Sequence, residues 1–332
     1  MLNKAALTAA GVGLLATLGL IGSASAEDYP SRTITLVSPY SAGGDADLAA
    51  RNFAAAAQKA LNQTMIVVDK TGASGVVGSA FVVGAAPDGY TLLLARTGSQ
   101  SILPAIQPSK TRYTWDQYTF IGTLELNPYG CLVNADSPYH TFKELVAAIK
   151  TKGKAMNYGT AGVLTTNDMG PRLLFKILNL TDQKPTEIPY RGTGDTVQSL
   201  LAKQTDFSCG SLGSFISFVQ AGKLRALIVT TPKRIKEMPD VPTARELGFE
   251  GMEGVVGWSG VFGPPGMPAD VVKKLANAMQ VVAKDPAWQA GTARTGSVPY
   301  VLSPEKTKEF AQKQYEVYRS LGESLGIIEK KP

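Results

Sequence analysis

Thr33-Ile34-Thr35-Leu36-Val37-Ser38-Pro39-Tyr40-Ser41-Ala42-Gly43-Gly44-Asp45-Ala46-Asp47 runs from a β-branched apolar segment through a glycine-rich turn into an alanine-rich helical spacing over residues 47–61. The expected order is strand, loop, helix. The unit then repeats. Residues 65–68 read as a buried strand, 75–84 carry small apolar residues at helical spacing, Pro87-Asp88-Gly89 turns the chain, and 90–95 form a third strand. This β-α-β-α-β order is the pattern of a parallel sheet covered by helices, which places the chain in the α/β class.

A second cycle begins at residues 130–133. Strands are expected at 155–158, 187–190, 206–209 and 224–230, with helices at 141–150, 167–178, 195–202 and 215–220 between them. The tail, with a strand at 257–262 and helices at 270–283 and 305–325, is too short for a third domain and is expected to pack on the first lobe. At roughly 100 to 200 residues per domain, 332 residues also suggest two domains. The expected division is 27–126 plus 251–332 in one lobe and 127–250 in the other.

Residues 1–26 differ from the rest. Lys4 is the only charge before Glu27, an Ala/Leu/Gly run follows, and Ala24 and Ala26 give the small-residue pattern of a signal-peptidase site. Cleavage after Ala26 would place the mature protein in the periplasm, without a membrane anchor. In that oxidising setting Cys131 and Cys209 could form a disulfide or stay as two buried thiols, and their spacing does not decide between these.

Composition closes several function classes. The single histidine, His140, and two cysteines cannot build a poly-histidine or four-thiolate metal site. The net charge of +6 comes from scattered residues rather than a Lys/Arg block, so nucleic acid is not an expected partner. There is no G-x-S-x-G elbow, His140 lies in a loop before a helix, and Ser303-Pro304-Glu305-Lys306 reads as a helix start. No enzyme activity and no cofactor are expected.

In open α/β sheets ligands bind beyond the carboxyl ends of strands, beside helix N-termini. Four loops fit. Tyr40, Ser41, Ala42, Gly43, Gly44, Asp45 and Asp47 follow the first strand; they form either an amide cradle for an anion or a plain glycine turn capped by Asp47. Arg96, Thr97 and Ser99 follow the third strand, and Arg96 is either a carboxylate partner or a surface cation. In the second lobe Thr160, Ala161, Thr165, Thr166 and Asn167 join a strand to a helix start, as a second neutral cradle or as simple capping residues. Arg191 follows a further strand.

At these loops the chain becomes recognisable. Tyr29-Pro30-Ser31-Arg32, the loop from Pro39 to Asp47, Ala86-Pro87-Asp88-Gly89-Tyr90-Thr91-Leu92-Leu93, Pro189-Tyr190-Arg191-Gly192, Ala221-Gly222-Lys223-Leu224-Arg225-Ala226-Leu227 and Met238-Pro239-Asp240-Val241-Pro242-Thr243 closely resemble the Bug-type receptors of tripartite tricarboxylate transporters. The resemblance implies a two-lobed type II periplasmic binding protein, each lobe a mostly parallel sheet flanked by helices, with crossover strands as hinge. It further implies a monomer that closes on a small carboxylate and delivers it to two integral-membrane subunits. The ligand-gripping roles would fall on Tyr40 to Asp47 and Thr160 to Thr166, with Thr97 and Ser99.

The departures bear on the ligand. Asp45 stands where the family often has a third glycine, Arg96 where it often has Ser or Thr, and Gly210 where an Asp often follows the strand. An Asp at 210 would suit an ammonium group, so its absence disfavours an amino acid. Arg96 with Arg191 favours a dicarboxylate, and Gly210, Ala161 and Gly162 would leave room for a longer or aromatic one. A sensing adaptor for a signalling receptor would share the same cleft, and a periplasmic enzyme is the remaining alternative.

Overall fold

The computed structural model describes residues 29–180, 183–231 and 233–329, so the segment read as a secretory signal, 1–26, lies outside the described residues. The first run of elements is β1 (Ile34–Ser38), α1 (Asp45–Leu61), β2 (Met65–Asp69), α2 (Val76–Val83), β3 (Thr91–Arg96), α3 (Leu103–Ile106) and β4 (Thr119–Asn127). The second is β5 (Tyr129–Asn134), α4 (Phe142–Lys152), β6 (Asn157–Thr160), α5 (Thr166–Ile177), β7 (Thr186–Pro189), α6 (Thr193–Leu201), β8 (Phe207–Ser211), α7 (Ile216–Gln220) and β9 (Leu224–Val229). The chain ends with β10 (Gly257–Gly263), α8 (Ala269–Val282), α9 (Pro286–Arg294), β11 (Val298–Pro299) and α10 (Pro304–Ser324).

Two sheets result, ordered β11-β4-β10-β3-β1-β2 and β7-β6-β8-β5-β9. β1 runs parallel to β2 and β3, as the successive β-α-β units require. β10 is antiparallel to both β3 and β4. The direction follows from the path: β4 leaves the first sheet for the second, and β10 re-enters from it. In the second sheet β6 is parallel to β7 and β8, while β5 is antiparallel to β8 and β9. Both sheets are thus mixed, with the antiparallel ladders concentrated at the strands that cross between lobes.

Strand alternation builds a core on each face of the first sheet. Ile34, Leu36, Leu92 and Leu94 pack with Ala50, Phe53 and Ala57 of α1 and with Leu275 and Met279 of α8. Val37, Leu93 and Ala95 point the other way, against Trp258, Phe262 and Tyr318. Burying a side chain of this kind contributes about 1.5–3 kcal/mol, so the sheet and its flanking helices form one cooperative layer stack. The buried alanines of α1 let that helix lie close on the sheet, which fixes where its N-terminus points.

The sequence reading leaves residues 97–129 without a regular element, yet β4 occupies Thr119–Asn127 at the centre of the first sheet's crossover. Gly122 and the buried acid Glu125 interrupt its apolar pattern. In the second sheet Cys131 and Cys209 sit directly opposite each other on β5 and β8, with Cα atoms 4.0 Å apart, and form a disulfide. Of the two states their spacing left open, the bonded one is present.

Candidate ligand-binding cleft

Each lobe sends strand-to-helix loops toward the other. From the first come the β1–α1 loop and the end of β3, where Arg96 leads into a π-helical turn, Gly98–Ile102. From the second come the β6–α5 loop and the turn opening α6. Between them lies a cavity lined by Tyr40, Asp45, Ala46, Arg96, Thr97 and Gly98 on one side and by Ala161, Thr165, Thr166, Asn167 and Thr193 on the other. Its volume is about 20 Å³, room for roughly one water molecule. The lobes are closed upon each other.

Backbone contact makes this closure tight. A methyl group on Gly194 would come 2.5 Å from the Ala42 carbonyl oxygen, and one on Gly44 would come 3.1 Å from the Gly194 nitrogen. Ser41 is packed against Gly192 in the same seam. The strongest polar tie is Asp45, whose Oδ1 accepts hydrogen bonds from the Ser214 amide and hydroxyl, both at 2.7 Å. Ser214 belongs to the loop after β8, so Asp45 links the two lobes.

Arg96 is no surface cation; it is 7% exposed. Its Nη1 donates to Asn127 Oδ1 at 3.0 Å and to Ser259 Oγ at 2.5 Å, and its Nη2 lies 3.9 Å from Asp45 Oδ2. Asn127 and Ser259 in turn donate to Glu125 Oε1 at 2.9 and 3.2 Å. One guanidinium therefore stands between two buried acids. Burial raises both carboxyls above their ordinary range; Arg96 pulls each back, helped for Asp45 by Ser214 and the nearby Ser211 hydroxyl and for Glu125 by Asn127 and Ser259. Tyr40 is pushed up to about 12 by burial, against the pull of Arg96, so it stays a neutral phenol. Its hydroxyl donates to Ser74 O at 2.9 Å.

On the facing side Thr165 is the N-cap residue of α5, but its hydroxyl donates back to Gly162 O at 2.8 Å instead of capping the helix. The amides of Asp168 and Met169 bond to Thr165 O, which leaves the first-turn N–H groups of Thr166 and Asn167 at the cavity wall. Thr193 opens α6 beside them. Three helix N-termini, those of α1, α5 and α6, thus converge on one small space, and their dipoles favour an anion there.

The structure sorts the sequence candidates. Tyr40, Asp45, Arg96, Thr97, Ala161, Thr165 and Thr166 line the cavity. Ser41 and Gly44 form the lobe seam, while Ala42 and Gly43 are exposed at its outer edge. Asp47 accepts from the Gly43 amide at 2.9 Å and pairs with Arg51, so it shapes the loop from behind; the N-cap itself is Gly44. Ser99 is buried and its carbonyl accepts from Tyr113, and Thr160 donates to Glu187. Arg191 lies elsewhere: its side chain is 74% exposed, bonds to Asp195 at 2.9 Å, and lines an outer hollow of about 720 Å³. The space expected beside Gly210 is filled, because the Asn167 amide lies against that glycine. Asn167, the third residue of the cap-type run Thr165-Thr166-Asn167, lines the cavity with the other two. Thr193 and Ser214 join the cleft without having been singled out for it; Ser214 meets Asp45 only through tertiary closure.

This architecture, two mixed α/β lobes closing over helix N-termini, defines the chain as having the fold of the two-lobed periplasmic binding proteins. It superposes on the periplasmic binding protein BugD with a TM-score of 0.85 at 30% identity, covering 91% of this chain and 100% of that one. It superposes on MatC from Rhodopseudomonas palustris, solved with bound malate, with a TM-score of 0.83 at 28% identity over 89% of this chain and 100% of that one. Residues 49–327 match the profile of the tripartite tricarboxylate transporter family receptor, and the chain belongs to that family. A UPF0065 protein in the TAR-I ttuE-ttuC′ intergenic region of Agrobacterium vitis is 33% identical over 277 residues, 83% of this chain and 79% of that protein. Protein BugT of Bordetella pertussis is 28% identical over 305 residues, 89% of this chain and 90% of its own length. Among the described residues no helix is long and apolar enough to cross a membrane.

Proposed function

We propose that the protein is a periplasmic receptor that captures a carboxylate, in particular a dicarboxylate, between its lobes and delivers it to a two-subunit membrane transporter. The observation that carries this reading is the convergence of the α1, α5 and α6 N-termini with buried Arg96 on one interlobe cavity. Amides, hydroxyls and one cation are donors, and a carboxylate supplies up to four acceptor sites. Each hydrogen bond to such a charge contributes about 1.5–3 kcal/mol net, so three or four reach micromolar affinity. Membership of the receptor family and the malate seen in MatC support the ligand class.

Entry requires the lobes, residues 27–126 with 251–332 and 127–250, to part at the crossover strands, because a space for one water admits no dicarboxylate. A ligand that bridges both sides then shifts the population toward closure. Isothermal titration calorimetry of the protein against mono-, di- and tricarboxylates and amino acids tests the reading. Saturable binding of dicarboxylates supports it, and binding of none of these acids refutes it. Uptake of the bound acid by cells, lost when either membrane subunit is deleted, tests delivery.

A further inference from the structure

Asp45 is an acid in the wall of a cavity read as a carboxylate site. It is 5% exposed, and its oxygens are engaged unequally: Oδ1 takes both Ser214 bonds, while Oδ2 has no hydrogen-bond partner among the described residues and is answered only by the Arg96 guanidinium, 3.9 Å away, and by the pull of the nearby Ser211 hydroxyl on the carboxyl. A buried carboxylate oxygen without a donor is costly, and it calls for one. On the opposite wall Asn167, 2% exposed, has an amide nitrogen that likewise lacks a partner. Two residues of the cavity wall thus carry an unmatched polar atom, an acceptor from the first lobe and a donor from the second.

Charge points the same way. Arg96 is the one cation among the residues lining the cavity, and it already faces Asp45 on one side and the Asn127, Ser259 and Glu125 cluster on the other. A plain dicarboxylate would bring two more negative charges to a site whose only positive charge is shared between two acids. A ligand with a hydrogen-bond donor next to its carboxylate would instead meet Asp45 with the donor and Asn167 with the carboxylate. We propose that Asp45, in the wall of the interlobe cavity, is a specificity-determining residue that selects carboxylates bearing a hydroxyl or ammonium group beside the carboxylate, through the Oδ2 that has no hydrogen-bond donor. The acid missing at Gly210 is supplied from the other lobe, and the sequence argument against an amino-substituted ligand does not hold.

The proposal rests on the carboxylate-receptor reading, and one titration set separates the two. Succinate, malate and aspartate share a carbon skeleton and differ only in hydrogen, hydroxyl or ammonium at one carbon; glutarate, 2-hydroxyglutarate and glutamate repeat the series one carbon longer. Calorimetry on the wild-type protein should show the hydroxy or amino member of at least one series binding tenfold or more tighter than its unsubstituted partner. The stronger of the two substituted acids identifies which donor Asp45 meets. In Asp45→Ala that ratio should fall to within threefold, even if loss of the Ser214 tie weakens all ligands together. Asp45→Asn keeps an oxygen for Ser214 but turns a donor toward the ligand, and should also lose the preference; it serves if the alanine variant does not fold. Equal affinities across both series in the wild type, or a ratio unchanged in both variants, would overturn the proposal while leaving the receptor reading intact. Binding of no member of either series, nor of any mono- or tricarboxylate, would overturn both.

Discussion

Asp47 and Asp168 do the same work in the two lobes. Each stands in the first turn of its helix, accepts from the amide four residues earlier and pairs with the arginine four residues later. Gly43 N donates to Asp47 at 2.9 Å and Arg51 lies at 2.7 Å; Leu164 N donates to Asp168 at 2.8 Å and Arg172 lies at 2.6 Å. The two loops that face each other across the cleft are thus fastened from behind by one device used twice.

The surroundings differ, and so should the cost of removal. Arg51 is 55% exposed, whereas Arg172 is 24% exposed and also holds Glu187 at 3.2 Å. Asp47→Ala removes a charge-assisted bond to one amide and should cost about 1.5–3 kcal/mol. Asp168→Ala breaks a buried network and should cost about 3–5 kcal/mol. Urea denaturation of both variants checks the order; equal losses would mean that the Arg172 and Glu187 partners add nothing.

Arg96 and Arg191 separate in the same way. Arg96→Ala leaves Asp45 and Glu125 buried without a counter-charge, so it should lose about 3–5 kcal/mol of stability and most ligand binding together. Arg191 is a solvated helix-flank residue, and Arg191→Ala should stay within about 0.5 kcal/mol of wild type with unchanged ligand affinity. Thermal melts paired with calorimetry read both quantities; a tenfold affinity loss in Arg191→Ala would put that arginine at the ligand.

These two arginines also show how far the sequence can be read. Strand, loop and helix in the successive β-α-β units are legible because apolar runs, glycine turns and helical spacing coincide there. The β1–α1 and β6–α5 loops are legible as candidates to face a cleft for the same reason, since strand ends and helix starts define them. What is not legible is which way a charge turns. Arg96 and Arg191 both follow strands, yet one is held across the neighbouring strands of its own sheet by Ser259 and Asn127 and the other folds back on Asp195. β4 escapes because Glu125, the acid that breaks its apolar pattern, is buried for the sake of the same polar cluster. The Asp45 to Ser214 tie depends on closure between lobes and has no local signature.

Closure brings Gly194 hard against the backbone of the facing lobe. A methyl group at position 194 would sit 2.5 Å from the Ala42 carbonyl, closer than packed atoms allow. Gly194→Ala should therefore hold the lobes apart by about the width of that overlap while leaving each lobe's core intact. The expected result is a melting temperature near that of the wild type, ligand affinity lowered about tenfold or more, and a scattering profile that no longer contracts when ligand is added. Wild-type affinity in this variant would show that the seam does not govern closure.

Acid titration should report the buried pair beside Arg96. Asp45 and Glu125 ionise near 3.9 and 4.3 in an unfolded chain, and burial raises both in the folded protein despite Arg96. Between those ordinary values and the raised ones the folded protein holds more protons than the unfolded chain, so stability falls as pH rises through that window. Below it both states are protonated and the contribution is constant. Exposed acids such as Asp136, Glu144 and Glu246 are held low by their hydrogen bonds and shift stability the opposite way, so the test has to be a difference between proteins. Asp45→Asn with Glu125→Gln removes the two raised groups and keeps their shapes. The melting temperature of the double variant minus that of the wild type should grow as pH rises from about 4 to about 7. A difference that stays flat over that range would mean that Arg96 fully compensates both ionised acids, and that Asp45 meets an incoming ligand as a carboxylate whose charge is already answered.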